Sequence, residues 1–127
     1  MMSRKIEDLT PSMQVKAKEF QRRMETANLP FIFTCTYRSQ EEQNELYKQG
    51  RSKPGLKVTW TTNSRHTDRD AFDIAIVKDG KPVWDVKVNV NINEIPDYLE
   101  AGQIGESIGL VWGGRWGKPD YPHYQEA

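Results

Sequence analysis

Cysteine is almost missing from this 127-residue sequence, which contains only Cys35. A single thiol cannot form an intramolecular disulfide, and this fits a protein made in a reducing compartment. Cys35 ends the apolar run 31–35, so we expect a buried thiol in a strand rather than a catalytic nucleophile.

The sequence also lacks an excess of charge of either sign. Lysine plus arginine and aspartate plus glutamate both total 18, so the formal net charge is zero. Because proteins that bind a phosphate backbone usually carry a basic surplus, this balance argues against a nucleic-acid partner.

Long apolar runs are missing as well. No stretch approaches the ~20 apolar residues that span a bilayer, and no apolar core follows the basic residues of segment 1–8. We therefore expect no secretion signal, no stable membrane association and a cytoplasmic location in the producing cell. The composition, 36% hydrophobic and 28% charged, is typical of a folded globular protein, and the length predicts a single domain over residues 1–127.

Two segments of the first half carry the start signals of helices. Thr10, followed by a proline, can cap a helix that ends near Asn28 and has apolar residues at every third or fourth position. Ser39 and Glu42 have the spacing of a capping box, which predicts a second helix that ends at Gly50.

Apolar and β-branched residues predict the strands. Segments 31–37 and 71–77 are typical of strands, and the second has one apolar face and one face that bears Asp73. The pair Asp79-Gly80 predicts a hairpin turn, with the returning strand over residues 83–90.

The end of the chain adds a helix over residues 96–108, a strand at 110–112, a turn and a final strand around His123. Helices therefore flank strands that pair in an antiparallel manner. The predicted fold class is α+β, with a small antiparallel sheet flanked by helices.

Both histidines lie in polar, turn-rich segments beside acidic residues. His66 lies in segment 64–73, which ends at Asp73, and His123 follows Asp120 by three residues. Histidine is the commonest zinc ligand near neutral pH, and a catalytic zinc uses three protein ligands and one open position. Two histidines and Asp73 meet this requirement. The alternative is that the imidazoles are ordinary hydrogen-bonded groups.

The segment around His66 resembles the signature of one enzyme family. Ser64, His66, Ala71 and Asp73 match the positions of Ser-x-His-x-x-Gly-x-Ala-x-Asp in the zinc peptidases that include D-alanyl-D-alanine carboxypeptidases, lysostaphin-type enzymes and the hedgehog fold. Arg69 stands where that family usually has glycine.

Three further motifs follow the order of the same family. The closing Asp120-x-x-His123 resembles its acid-x-x-His motif. Tyr37-Arg38-Ser39 with Gln43, and the segment 110–114, resemble the L-alanyl-D-glutamate peptidases and carboxypeptidase-like endolysins of bacteriophages. This resemblance runs from about residue 30 to the end, and it implies a hedgehog/DD-peptidase-like fold, a zinc cofactor and a peptidoglycan peptide as substrate.

The resemblance also implies a role for each matched residue. Zinc would be held by His66, Asp73 and His123, where it would polarise the scissile carbonyl and activate a water. Asp120 would take the proton of that water and deliver it to the leaving amine. Arg38 would stabilise the developing oxyanion or anchor a substrate carboxylate.

Substrate contacts are expected from three further residues. Ser64 resembles a substrate-binding hydroxyl, with a loop cap as the alternative, and Gln43 is expected to face the same cleft as Arg38. Trp112 and Trp116 flank the Gly-Gly turn, so we expect one of them to line the substrate groove, with Trp112 as the first choice and Trp116 as the alternative. All four tryptophans are expected in the core or on a cleft wall: Trp60, Trp84, Trp112 and Trp116.

The leading functional hypothesis is a monomeric L-alanyl-D-glutamate endopeptidase that acts as a phage endolysin, released to the cell wall through a pore made by a separate protein. The first alternative is a D-alanyl-D-alanine carboxypeptidase with the same metal site. The others are a catalytically silent, zinc-stabilised binding module and a metal-free interaction domain. Asp120 and Arg38 count against a binding module, which has no need of a proton acceptor.

Overall fold

The computed structural model describes residues 2–59 and 61–127, so Trp60 lies outside the described residues. The helices are α1 Pro11–Thr26, α2 Gln40–Lys48 and α3 Asp97–Ser107, with short 3-10 turns at Ile6–Asp8 and Gly113–Arg115. The strands are β1 Met2–Ser3, β2 Phe31–Cys35, β3 Tyr37–Arg38, β4 Ala71–Lys78, β5 Lys81–Val83, β6 Leu110–Trp112 and β7 His123–Glu126. Among the described residues, no helix has the length and apolar character needed to cross a membrane.

The main sheet has the strand order β2-β4-β7-β6, and β5 pairs with the C-terminal end of β4. Every strand pair in it is antiparallel, and a separate two-stranded sheet joins β1 to β3. The predicted α+β class with a small antiparallel sheet is therefore confirmed.

The first two helices begin where their capping signals predict. The Thr10 side chain accepts a hydrogen bond from the Met13 backbone N–H at 3.2 Å, and Ser39 accepts one from Glu42 N–H at 3.2 Å. Each bond satisfies a backbone donor that the first turn of a helix leaves without an intrahelical partner.

One face of the sheet forms the hydrophobic core. The buried stripe of α1 packs against this face. The centre of the Phe20 ring lies 5.3 Å from the ring centre of Phe72 in β4 and 5.0 Å from that of Tyr124 in β7. Because side chains alternate along a strand, the neighbours Asp73 and His123 must point to the opposite face. The sheet thus separates an apolar side from a polar side, and the polar side carries the chemistry.

The strand predicted over residues 83–90 is wrong. Strand β5 ends at Val83, and Trp84, expected in the core or a cleft wall, is 56% exposed. The chain is held instead by the buried Asp97, whose carboxylate accepts a hydrogen bond from Val90 N–H at 2.6 Å and whose backbone N–H donates to Val88 at 2.8 Å. Val88 and Val90 therefore pack against the core from a loop, in which the side chain and the backbone of Asp97 replace a neighbouring strand as hydrogen-bond partners.

Two glycines weaken α3 as an isolated helix but allow it to approach the sheet. A Cβ atom at Gly102 would overlap the ring of Trp112, and one at Gly105 would lie 2.6 Å from the ring of Tyr124. The helix backbone therefore packs directly on two aromatic rings, which explains why glycine occupies positions where alanine is the better helix former.

We predict that Gly102→Ala lowers the free energy of unfolding. Alanine favours a helix by about 1 kcal/mol over glycine, but overpacking a core costs ~1–3 kcal/mol. Because the Trp112 ring is buried and hydrogen-bonded, the cost should prevail. Urea unfolding measures the change. Gln103→Ala, at the exposed neighbouring position, is the control and should leave stability nearly unchanged or slightly raised; a stabilised Gly102→Ala would contradict the packing argument.

Candidate metal centre

Asp73 and His123 form a cross-strand pair on the polar face of the sheet. The register of β4 and β7 places the two residues directly opposite each other. His123 Nδ1 lies 3.0 Å from Asp73 Oδ1. Two of the three predicted ligands are therefore brought together by strand pairing alone, although 50 residues separate them in the sequence.

His66 reaches the same point from a loop. Its backbone N–H donates to Ser64 Oγ at 3.2 Å, and its side chain is buried, with Nε2 3.2 Å from Asp73 Oδ2. Where the loop continues into β4, Arg65 Nε–H donates to both carboxylate oxygens of Asp70, at 3.0 and 2.9 Å. The loop that carries His66 is thus held in shape by a hydrogen-bonded ion pair between two of its own residues.

Arg69 fits the position at which the family usually has glycine. Its φ angle is +63°, in the left-handed region that favours glycine. Its guanidinium lies 3.8 Å from the centre of the Tyr37 ring and donates a hydrogen bond to the Asp8 carbonyl at 3.0 Å. These contacts compensate for the unfavourable backbone angle, so the loop keeps its turn with arginine in place.

The three residues form a donor set suited to a metal ion. One ligand atom of each of His66, Asp73 and His123 lies within 4.8 Å of the others. Both ring nitrogens of His66 are buried, and among the described residues neither has a well-aligned hydrogen-bond partner, which is costly in the absence of a ligand. Two imidazoles and a carboxylate match a catalytic zinc site with an open fourth position. The residues therefore fit the ion that the sequence motifs imply.

The charge on Asp73 is strongly favoured. Burial opposes ionisation of this carboxyl, but the hydrogen bond from His123 and the close His66 imidazole outweigh burial and hold its pKa well below the usual value. Burial likewise opposes the charged form of His123, yet the bond to Asp73 raises the pKa of that imidazole. Asp73 is therefore available as an anionic ligand at neutral pH.

Asp120 lines the same cleft without joining the group of three ligand atoms, among the residues that the structure describes. Its backbone N–H donates to the Gly113 carbonyl at 2.9 Å, and its own carbonyl accepts from His123 N–H at 3.2 Å. Burial raises the pKa of this carboxyl, and the neighbouring Asp73 carboxylate raises it further. A carboxylate that stands beside a metal site and holds a proton more readily than usual is suited to proton transfer.

Arg38 enters the cleft from β3. Its backbone N–H donates to the His66 carbonyl at 3.3 Å, so this strand is attached to the loop that carries the first histidine. The Nη1 group donates to Gln43 Oε1 at 2.7 Å, while Nε is buried and has no hydrogen-bond partner within the described parts of the chain. The guanidinium is therefore held in place by Gln43 at the edge of the cleft.

Gln43 does not line the cleft, contrary to expectation. It is fully buried in α2, where its side-chain N–H groups donate to Thr59 Oγ1 at 3.1 Å and to the Thr61 carbonyl at 2.6 Å. The glutamine thus connects Arg38 to the segment that forms one cleft wall. It lies behind the site. Its amide oxygen accepts from Arg38 while its amide N–H groups donate to the 59–61 segment, so the buried side chain has partners for its polar atoms.

Trp112 is also displaced from its expected position. It lies in the core, 2% exposed, and donates a hydrogen bond from Nε1 to the Tyr121 carbonyl at 2.8 Å. Trp116 lines the cleft instead, with its ring centre 5.1 Å from that of His123. The sequence holds a signal for this difference: Trp112 alternates with Leu110 in an apolar strand, whereas Trp116 follows two glycines and an arginine.

The cleft has a volume of about 650 Å³, which is large enough for a peptide segment. Ser64 lines it as expected, together with Arg38, His66, Asp73, Asp120 and His123. The sequence motifs did not predict several other lining residues: Val58, Thr59, Thr61, Asn63, Arg65, Lys118, Pro119 and Gln125.

Cys35 takes no part in this chemistry. Its side chain is buried in β2, and burial raises the pKa of the thiol to about 11. Since the thiolate is the nucleophilic form, Cys35 is inert near neutral pH. The structure therefore bears out the expectation of a buried strand thiol.

Comparison with known proteins places this site in a family. A family model described as D-alanyl-D-alanine carboxypeptidase matches residues 57–126, more than half of the chain. The chain is 37% identical over 122 residues to the peptidoglycan L-alanyl-D-glutamate endopeptidase CwlK of Bacillus subtilis (strain 168), an alignment that covers 93% of this chain and 73% of that protein.

A solved structure agrees at the level of the fold. The crystal structure of the Serratia marcescens L-Ala D-Glu endopeptidase ChiX superposes with a TM-score of 0.70 and 20% sequence identity, over 100% of this chain and 89% of that one. The fold, the sequence match and the matched motifs agree, and the chain belongs to the D-alanyl-D-alanine carboxypeptidase family of metallopeptidases.

Proposed function

We propose that this protein is a zinc-dependent endopeptidase that cleaves the bond between L-alanine and D-glutamate in the peptide stem of peptidoglycan. The observation that carries the proposal is the meeting of His66, Asp73 and His123 in one cleft with Asp120 and Arg38. These five residues supply a metal site, a proton acceptor and a cationic donor, which are the groups that peptide hydrolysis needs.

The metal would be held by His66, Asp73 and His123. Zinc bound there supplies a Lewis acid that polarises the scissile carbonyl and makes water a better nucleophile. The Asp73 carboxylate contributes a negative charge, and burial of the site strengthens its attraction for a cation.

Asp120 and Arg38 perform the remaining work of hydrolysis. Asp120 accepts a proton from the attacking water as the new C–O bond forms, and it returns this proton to the amine as the C–N bond breaks. Arg38, held by Gln43, donates hydrogen bonds to the oxygen on which negative charge develops. One water molecule is added across the peptide bond, and the Asp120 carboxylate is again ionised at the end of the reaction.

The choice of bond follows from the relatives. CwlK, which the chain matches over most of its length, is an L-alanyl-D-glutamate endopeptidase by name. The family model carries the name of a D-alanyl-D-alanine carboxypeptidase, so removal of a terminal D-alanine is the second candidate activity.

We also propose that the protein acts as an endolysin. The motifs around Arg38 and at residues 110–114 support this, because they resemble those of bacteriophage endolysins. In this proposal a monomer accumulates in the cytoplasm of the producing cell and reaches the wall through a pore made by a separate protein. Expression alone should leave cells intact, and added permeabilisation of the inner membrane should lyse them; lysis on expression alone would contradict the need for a pore.

Digestion of purified peptidoglycan tests the proposed bond. We predict fragments with a new C-terminal L-alanine and a new N-terminal D-glutamate, identified by mass spectrometry. The Asp120→Asn variant serves as the inactive control. Release of a single D-alanine from pentapeptide stems, with the L-alanyl-D-glutamate bond intact, would show a carboxypeptidase instead.

Zinc dependence is tested by removing the metal or one ligand. We predict about one zinc per chain in the purified protein, activity lost on exhaustive chelation, and activity restored by added zinc. His66→Ala should bind less zinc, because it removes one of three ligands. Metal content is measured by elemental analysis beside the activity. Full activity in protein shown to be free of metal would exclude the mechanism.

A matched pair of substitutions separates the proton acceptor from the metal ligand. Asp120→Asn and Asp73→Asn each replace a carboxylate by an amide of the same shape. We expect Asp120→Asn to fold, retain zinc and lose ~10²–10⁴-fold in kcat, the usual contribution of general-base catalysis. Asp73→Asn should weaken zinc binding itself. Zinc lost from Asp120→Asn and retained by Asp73→Asn would reverse the two assignments.

A further inference from the structure

Gln125 shares the cleft face of β7 with the ligand His123. The two residues are separated by Tyr124, which is fully buried in the core, so strand alternation turns both of their side chains to the polar side of the sheet. Gln125 lies opposite Ala71 in β4 and opposite Val111 in β6, in the interior of the sheet. Its backbone is therefore fixed by two neighbouring strands.

The Gln125 side chain contacts the imidazole at the nitrogen that faces away from the cluster. Gln125 Oε1 lies 2.8 Å from His123 Nε2, while His123 Nδ1 lies 3.0 Å from Asp73 Oδ1. Both ring nitrogens of His123 thus face oxygen acceptors, the Asp73 carboxylate at Nδ1 and the Gln125 amide at Nε2. An amide oxygen can only accept a hydrogen bond, so with a metal ion in place of the proton on Nδ1, Gln125 would keep the remaining ring proton on Nε2. The lone pair of the ring would then be on Nδ1, the nitrogen that faces Asp73.

A second contact keeps the ring from turning. The Trp116 ring centre lies 5.1 Å from that of His123, with the two planes inclined at 45°. A tilted ring contact of this kind restrains the imidazole but does not select which of its nitrogens points to the cluster. Among the described residues, Gln125 is the group in hydrogen-bond contact with the outward nitrogen.

The neutral amide is also suited to its electrostatic surroundings. Asp73 and Asp120 already line this cleft, and Asp73 raises the pKa of Asp120. A glutamate at position 125 would add a third negative charge to the same cleft. Glutamine provides the acceptor without that charge.

We infer that Gln125 is a positioning residue for the metal: it holds His123 in the tautomer and orientation that present Nδ1 to the ion. This inference rests on the proposed zinc site and adds a residue that none of the sequence motifs contains. Partners that orient a ligating histidine in this way typically contribute 10- to 100-fold to metal affinity.

The test is zinc affinity of the full chain, measured without substrate by competition with a chromophoric chelator. Gln125→Met keeps the length and shape of the side chain and removes the acceptor, and it should weaken zinc binding by about 10- to 100-fold. Gln125→Glu restores an acceptor and should bind zinc at least as tightly as the unaltered protein. Gln21→Met makes the same chemical change at an exposed position of α1 and should leave the affinity unchanged.

The outcomes separate this inference from its alternatives. Unchanged zinc affinity in Gln125→Met overturns it, whether or not KM rises, since a rise in KM alone marks a substrate contact. Equal weakening in Gln125→Met and Gln125→Glu also overturns it, because the acceptor would then be irrelevant. If Gln125→Met does not fold, as judged by circular dichroism of the metal-free protein, Gln125→Glu decides: weakened binding there refutes the inference. Absence of zinc binding in the unaltered chain would instead refute the proposed function itself.

Discussion

The register of β4 against β7 places Asp73 directly opposite His123, and the rest of the site is arranged around this pair. A shift of one residue in either strand would turn its side chain into the core, because successive residues of a strand face opposite sides. The same register buries Phe72 and Tyr124, whose stacked rings lie 5.2 Å apart under α1. Stability and metal binding therefore require the same strand register. This one register buries the aromatic rings on the apolar face and pairs the two metal ligands on the polar face.

The other functional groups are attached to this pair through the backbone of neighbouring segments. The His66 carbonyl accepts a hydrogen bond from Arg38 N–H, and the Arg69 carbonyl accepts one from Thr10 N–H. β1, at the start of the described chain, pairs with the strand that carries Arg38. The loop with the first histidine is thus held between β3 and the N-terminal segment, and this arrangement tolerates Arg69 in place of glycine.

Local patterns were sufficient to predict much of the fold. The apolar stripe and cap of α1, the cap of α2 and the two faces of β4 are signals that a few neighbouring residues carry. The alternating valines before α3 resembled a strand, but the buried Asp97 supplies hydrogen bonds that the pattern does not reveal. A sequence pattern shows which side chains prefer burial; it does not show whether a strand or a loop buries them.

Sequence motifs predicted the cleft residues that the motifs contain. They did not predict which other side chains the packing of the folded chain brings into the cleft or removes from it. His66, Asp73, His123, Asp120, Arg38 and Ser64 line the cleft as the family resemblance implied. Gln43 and Trp112 occur in the same motifs but lie behind the cleft, since their polar atoms have partners within the protein. Trp116 and Gln125 have no motif of their own, and their positions depend on a loop and on strand alternation that only the folded chain defines.

X-ray absorption spectroscopy at the zinc edge identifies the protein atoms that bind the metal. For the zinc-loaded protein, the account predicts a first shell of nitrogen and oxygen atoms at about 2.0–2.2 Å, with the outer-shell scattering of two imidazoles. His66→Ala and His123→Ala should each reduce that scattering to one imidazole. Sulfur at about 2.3 Å, which would place the metal on Cys35, or a first shell without imidazole, would contradict a metal site built on the Asp73–His123 pair.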